Sequence, residues 1–408
     1  MIFHFLRSFV LVVALAPLAY YLIATYCGWS YFHLSRKLLQ RGAKCKPPVA
    51  VSILKPVCGV DRGAYENFAS FCRLDYPEYE ILFGVTDEND PVIPVVEELQ
   101  RSFPGSAIRL FVGAPLLGTS PKMNLLSRLV REAKHNFLVI NDSDVRVERD
   151  YLLDATAPFQ DPKVGLVTAL FRGITEGDFA SDLDAVGGPS DSSASALVAE
   201  KFSGMDFALG WTMATTKQRL EEIGGFESMA DHHSDDFTLG NKIARNGYRI
   251  ALMRKPIWMV FPREGLSQFL RHELRWSIML RSIRPVGYLG LAMTFGLPWA
   301  VLAAVASPSF AWAVAYILAY LVLRLTMAWT IGVWGLADPV VRRKIWLVPI
   351  RDAVNFFVWI GGFLFSRVQW RGKEYRVKGS CLIPLTGQGI ASADLSGATS
   401  ATLVSARR

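Results

Sequence analysis

The sequence predicts a doubly wound α/β domain set between apolar helices that cross or enter a membrane. Three observations carry this. From Pro47 to about Pro285, short apolar runs alternate with amphipathic segments, the pattern of a parallel sheet covered by helices. Long runs almost free of charge lie on either side of that region. The composition is also too apolar for an ordinary soluble domain: 51% of the 408 residues are hydrophobic, with 11 Trp and 25 Phe, at a mean hydropathy of +0.26. The formal charge of +8 sits in clusters beside apolar runs, which suits anionic headgroups better than nucleic acid. No zinc-finger or RNA-binding spacing is present. The five cysteines, Cys27, Cys45, Cys58, Cys72 and Cys381, form no CxxC pair and read as free thiols in a reducing compartment.

The first element is the uncharged run Phe9 to Phe32, long enough to span a bilayer. A cleavable signal peptide is the alternative, but the run is too long and lacks a small-residue cleavage site. Arg7 alone precedes it, whereas Arg36, Lys37, Arg41, Lys44 and Lys46 follow. The excess of following charge places the N-terminus outside and the rest in the cytosol. Residues 1–36 are therefore expected to be a transmembrane helix and 47–285 a cytosolic domain. Within the domain, VAVSILKPV reads as a buried opening strand, followed by a helix near Tyr65 to Cys72. Then come the strand YEILFGVTD, the helix VIPVVEELQRSF, the strand IRLFVG, the helix KMNLLSRLVREA and the strand FLVINDSDV. The Gly/Ser/Asp-rich stretch GDFASDLDAVGGPSDSSASA is expected to be a flexible loop near the site, or an inert surface insertion.

Apolar character returns over 286–366. Val286 to Ala306 and Phe310 to Leu336 read as spans, although Arg324 inside the second means either a functional contact or a misplaced boundary. The run IWLVPIRDAVNFFVWIGGFLF has basic flanks on both sides, which favours a re-entrant or interfacial hairpin with both ends cytosolic. Arg351 and Asp352 leave that point open. The 367–408 segment is basic and then disordered in expectation, GQGIASADLSGATSATLVSARR being the disordered part. No internal repeat is visible.

The chemistry lies in the acids. Asp87 closes one strand, Asp142 and Asp144 close another as a DxD, and Asp235 and Asp236 stand together in HHSDDFTLG. Alternation along a strand points Asp142 and Asp144 to one side, where two oxygens can share a divalent cation such as Mg²⁺ or Mn²⁺. That ion would neutralise the diphosphate a nucleotide-sugar donor presents. One of the downstream pair can act as general base towards an attacking hydroxyl. Ser234 or Asp235 can also cap the helix that FTLGNKIARNGY starts. In RHELRW, Arg275 can bind a leaving diphosphate and Trp276 can pack on a sugar or lipid chain; the competing reading is an interfacial helix whose cations reach headgroups.

The order DxD, acid pair, then RW ahead of membrane helices resembles the inverting, processive-synthase-type membrane glycosyltransferases. The closer resemblance is to ceramide glucosyltransferases and the related bacterial hopanoid-lipid glycosyltransferases. It runs through VSILKPVCGVDRGAYENFASFCRLDYPEYEILFGVTDENDP, SPKMNLL, NDSDVRV, KVGLVTAL, RLEEIGGF, SDDFTLG, RHELRW and WRGKEYRVKG. The resemblance implies a GT-A-type fold, a UDP-sugar donor and a lipid alcohol acceptor. It assigns Asp87 and Lys122 to the nucleotide, Asp142 and Asp144 to metal and diphosphate, and Asp236 to the base. Asp235 shapes the turn or the charge around it. The family's last motif usually begins with Gln or Arg, and His272 stands there instead. The expected activity is transfer of a hexose, glucose first, to the primary hydroxyl of a ceramide-like lipid with inversion. Transfer of N-acetylglucosamine to a hopanoid polyol is the alternative, and a non-catalytic lipid-binding scaffold is the reading from another class. Polysaccharide synthesis fits poorly with so few spans.

Overall fold

The computed structural model describes residues 2–40, 49–370 and 373–385. Arg41, Lys44 and Lys46 of the basic flank, and the 387–408 stretch expected to be disordered, lie outside them. The strands, in chain order, begin with β1 (Val51–Pro56), β2 (Tyr79–Val85), β3 (Ile108–Val112), β4 (Phe137–Asn141) and the short β5 (Val145–Arg146). They continue with β6 (Val164–Thr168), β7 (Phe171–Ile174), β8 (Thr212–Thr216), β9 (Arg249–Leu252) and β10 (Ile257–Val260). A final group holds β11 (Arg367–Trp370), β12 (Lys373–Lys378) and β13 (Cys381–Pro384).

The main sheet has the order β3-β2-β1-β4-β8-β6-β9. Its first four strands are parallel, as the alternation predicts. β8 then runs antiparallel to both neighbours, so the sheet is mixed rather than uniformly parallel. Strand order reverses at β1, which has β2 on one side and β4 on the other, and the crevice beyond the carboxyl ends of such a pair is where open α/β sheets hold ligands. Nearly every residue of β1, β2, β4 and β6 is buried, because helices cover both faces. A second sheet, β5-β10-β7, docks beside β4, and the Val260 amide donates to the Asp144 carbonyl at 2.9 Å.

The stretch from Gly177 to Ala196 is not a flexible loop. It forms the helix Phe179–Gly187, a wider π-helical turn Gly188–Ser192 and the start of the helix Ser193–Phe202. Its polar residues are structural: Asp178 accepts from the Ser181 amide at 3.1 Å, and Ser190 Oγ donates to the Val186 carbonyl at 2.8 Å. Its other acids pair with membrane-helix cations: Asp182 with Lys344 at 3.0 Å and Asp191 with Arg324 at 2.5 Å. These helices join the catalytic domain to the apolar ones.

Three helices are long and apolar enough to cross a membrane: His4–Gln40, Phe310–Gly335 and Pro339–Leu364. The run expected as one span from Val286 to Ala306 is two helices, Pro285–Met293 and Gly296–Ala306, bent by 48°. Tyr21 of the first helix fills the break, donating to the Thr294 carbonyl at 3.0 Å and accepting from the Gly296 amide at 2.9 Å. That satisfies backbone groups the bend sets free. Arg324 lies well inside its helix, so the boundary there is sound. Its guanidinium also meets Asp352 at 2.7 Å, and Tyr320 donates to the same carboxylate at 2.8 Å.

The expected hairpin is also corrected: Val348–Leu364 is one continuous helix. It lies along the helix Leu266–Ile283, with Arg351 paired to Glu273 at 2.6 Å and the Phe363 carbonyl accepting from Arg281 at 3.1 Å. Contacts near both of its ends thus tie it to the helix Leu266–Ile283. The basic segment after it is likewise no simple tail, because β11, β12 and β13 form an antiparallel sheet there.

Candidate active site

The turn after β4 carries Asp142, Ser143 and Asp144. Beneath it, Lys55 of β1 is fully buried, donating to the Asp142 carbonyl at 3.1 Å and lying 3.8 Å from the centre of the Phe71 ring. Burial pushes its ammonium down to about 7, against the pull of Asp142 and Asp144. The loop after β1 joins the turn through a hydrogen bond from Ser143 to Asp61. Asp144 is pushed up to about 7, by burial first and then by Asp142 and Asp61. Its Oδ1 atom is buried and has no hydrogen-bond partner. A buried orphan carboxylate oxygen beside a second carboxylate is a donor set suited to a hard divalent cation.

Lys122 binds the two acidic motifs together. It sits near the start of the helix Pro121–Glu132, where Ser120 caps the Met123 amide. Its ammonium is 2.6 Å from Asp142 Oδ1 and 2.7 Å from Asp235 Oδ2. Burial alone would lower its pKa, but Asp142 and Asp235 outweigh that and raise it. Asp235 and Asp236 open the helix Asp235–Arg245, where acids are favoured by the amide dipoles of the first turn. Ser234 holds the N-cap position without a side-chain cap bond. Asp236 accepts from the Phe237 amide at 2.7 Å. Burial, then Asp235, pushes its carboxyl up to about 7. Gly210 allows that carboxylate to approach, since a Cβ there would come within 3.1 Å of Asp236 Oδ2.

Asp87 stands at the carboxyl end of β2, exposed, with the Asn89 amide donating to it at 2.9 Å. Its loop is fixed to the one after β1 by Asp90, which accepts from the Gly59 amide at 2.9 Å. Asp87 thus shares the crevice rim, but no hydrogen bond or ion pair joins it to the Asp142–Lys122–Asp235 group among the described residues.

The RHELRW motif lies on Leu266–Ile283. Trp276 donates to His272 Nε2 at 2.7 Å, and burial together with Arg275 and Arg351 pushes that imidazole down to about 4. A neutral ring that receives the indole N–H is thereby a partner of Trp276. Asp184 and Glu264 stand beside it. Arg275 is seven residues, or two turns, before Ser282 and so shares its helix face. Ser282 Oγ is 3.3 Å from His233 Nε2, which directs that face towards HHSDD.

Two contributions escape a reading of motifs. The C-terminal sheet reaches the acid pair's own segment, the His233 amide donating to the Ser380 carbonyl at 3.0 Å and His232 bridging to Cys381. Lys55 is the other, and the one signal for it is a lysine inside the otherwise apolar VSILKPV.

Known proteins resemble this chain in sequence and in fold. The profile of Glycosyl transferase family 21 matches residues 9–382. Ceramide glucosyltransferase 3 of Caenorhabditis elegans is 26% identical over 349 residues, covering 80% of this chain and 72% of that protein. The ceramide glucosyltransferase of Komagataella phaffii is 31% identical over 143 residues, 34% of this chain and 28% of its own length. A mannosyltransferase from Pyrobaculum calidifontis, solved with GDP-Man and Mn²⁺, superposes with a TM-score of 0.52 at 21% identity over 85% of this chain and 99% of its own, a likeness of fold. The α/β domain is of the GT-A type. With a match running through nearly all of its length, the chain belongs to glycosyl transferase family 21.

Proposed function

We propose that this membrane glycosyltransferase moves glucose from a UDP-sugar to the primary hydroxyl of a ceramide-like lipid, inverting the anomeric centre. The observation that carries the reading is Asp236: a half-buried carboxyl pushed up to about 7, at a helix start whose neighbour Asp235 is tied through Lys122 to Asp142. Asp236 takes the proton of the lipid hydroxyl as that oxygen attacks the anomeric carbon. The bond from carbon to phosphate oxygen breaks, and UDP leaves with the electron pair. Lys122 and Arg275 face the negative charge that develops on the departing diphosphate. Asp87 lies where the nucleotide would rest, and Trp276, held by His272, offers an aromatic wall to sugar or lipid. Asp142 and Asp144 would hold a divalent cation, which supplies charge neutralisation to the diphosphate when bound.

The names of the ceramide glucosyltransferase relatives support the acceptor class. Placement of the catalytic domain in the cytosol is supported by Arg36 and Lys37 after the first helix. The test is turnover of detergent-purified protein with Mn²⁺ or Mg²⁺, crossing UDP-sugars with ceramide and a hopanoid polyol. Glucosylceramide of β configuration is the expected product. Product on the polyol alone, or a retained α linkage, would overturn the assignment.

A further inference from the structure

Between the helices ending at Gly335 and starting at Pro339, the chain turns sharply through Ala337, whose φ of 56° is positive for a residue other than glycine. The turn leaves a cavity of about 300 Å³, lined by Val333, Ala337, Asp338, Pro339, Arg342 and Arg343. Other cations in this region are already engaged. Arg36 donates to the Trp334 carbonyl and lies 4.1 Å over its ring, Lys344 pairs with Asp182 at 3.0 Å, and Arg351 pairs with Glu273 at 2.6 Å. Arg342 and Arg343 are exposed, and among the described residues neither guanidinium has a hydrogen-bond or ion-pair partner.

The one acid of the lining does not serve them. Asp338 is 1% exposed, and it accepts from the amides of Val340 at 2.7 Å, Val341 at 2.9 Å and Gly173 at 2.7 Å. Two adjacent forks of donors therefore face an open cavity with no counter-charge. Trp329 and Trp346, 51% and 57% exposed, stand on the two helices the turn joins, and tryptophan gathers where hydrocarbon meets headgroups. Guanidinium forks match phosphate oxygens in both charge and geometry.

We propose that Arg342 and Arg343 form a binding site for the phosphate of an anionic phospholipid headgroup, on the membrane face that carries the catalytic domain. The lipid would brace the turn joining Phe310–Gly335 to Pro339–Leu364, through Asp338 the strand β7, and through Lys344 the helix Phe179–Gly187. The site is independent of the sugar and the acceptor.

The test uses the full chain in nanodiscs of phosphatidylcholine, with and without phosphatidylglycerol. Co-purifying lipid is weighed by native mass spectrometry, and thermal stability is read in parallel. Wild type is expected to retain phosphatidylglycerol selectively and to melt higher when it is present. Each basic group at an anionic surface contributes about fivefold, so Arg342→Gln/Arg343→Gln should lower selective retention roughly thirtyfold. Arg101→Gln, a charge change on the exposed helix Ile93–Ser102, should leave retention as it is. Equal retention by the double variant would overturn the proposal, and so would an equal loss with Arg101→Gln, which would mean diffuse surface charge. Displacement of the lipid by millimolar inorganic phosphate would make the cavity a soluble-anion site instead.

Discussion

Lys122 stands between two acids that the proposed chemistry uses differently, 2.6 Å from Asp142 and 2.7 Å from Asp235. Its ammonium neutralises one carboxylate of the acid pair and leaves Asp236 as the one that holds a proton near neutral pH. Asp236→Asn should therefore lower kcat by about a hundredfold or more, with donor KM little changed. In wild type, kcat/KM should fall as pH drops below about 7, because the base is then protonated; initial rates across pH check the limb, which belongs to the coupled pair rather than to one residue. Stability runs the other way. A folded-state pKa of about 7 lies above the value of about 3.9 expected in the unfolded chain, so the bound proton stabilises the fold at low pH. That contribution is lost as pH rises from about 4 through about 7. Asp236→Asn should accordingly raise the melting temperature above pH 7, the difference vanishing towards pH 4. An unchanged melting curve across that range would contradict the raised pKa of this carboxyl.

At the scale of elements, what could be read from the sequence followed from locality. The strands ending at Asp87 and Asp142 were legible because both faces of the sheet are buried, leaving continuous apolar runs that stop at acids. The Gly177 to Ala196 segment was not legible. Its Ser, Gly and Asp residues carry the same local signal as a loop, and the partners that hold them lie far away, in Lys344 and Arg324. Arg324 shows the converse, since a charge in an apolar helix declares a partner without naming it. Its partners, Asp352 and Asp191, leave Arg324 2% exposed. Breaking such a cluster from one side leaves buried charge unpaired and costs about 3–5 kcal/mol, whereas replacing both partners by apolar groups costs much less. Arg324→Met should therefore destabilise the protein more than Arg324→Met/Asp352→Leu does, with thermal unfolding in detergent as the measure. A double variant as unstable as the sum of the singles would show that the pair is not coupled.

Across the whole molecule, the apolar helices and the catalytic domain form one unit. The N-terminal helix reaches the transferase domain through Tyr31, which donates to the Met253 carbonyl at 2.6 Å. The helix Leu266–Ile283 carries RHELRW and lies against Val348–Leu364. The sheet of β11, β12 and β13 returns to hold the backbone of His232 and His233. Truncation after Ser366 should reduce turnover at least tenfold while the remaining helices still fold, as circular dichroism would show. Full activity in the truncated chain would mean that this sheet merely packs on the site. The same return contact orders events during synthesis. Residues 379–381 leave the ribosome after every apolar helix described here, so the segment bearing Asp235 and Asp236 gains its last supports only once those helices have been synthesised. A chain that has not yet released residues 379–381 lacks the backbone contacts that brace the segment carrying Asp235 and Asp236.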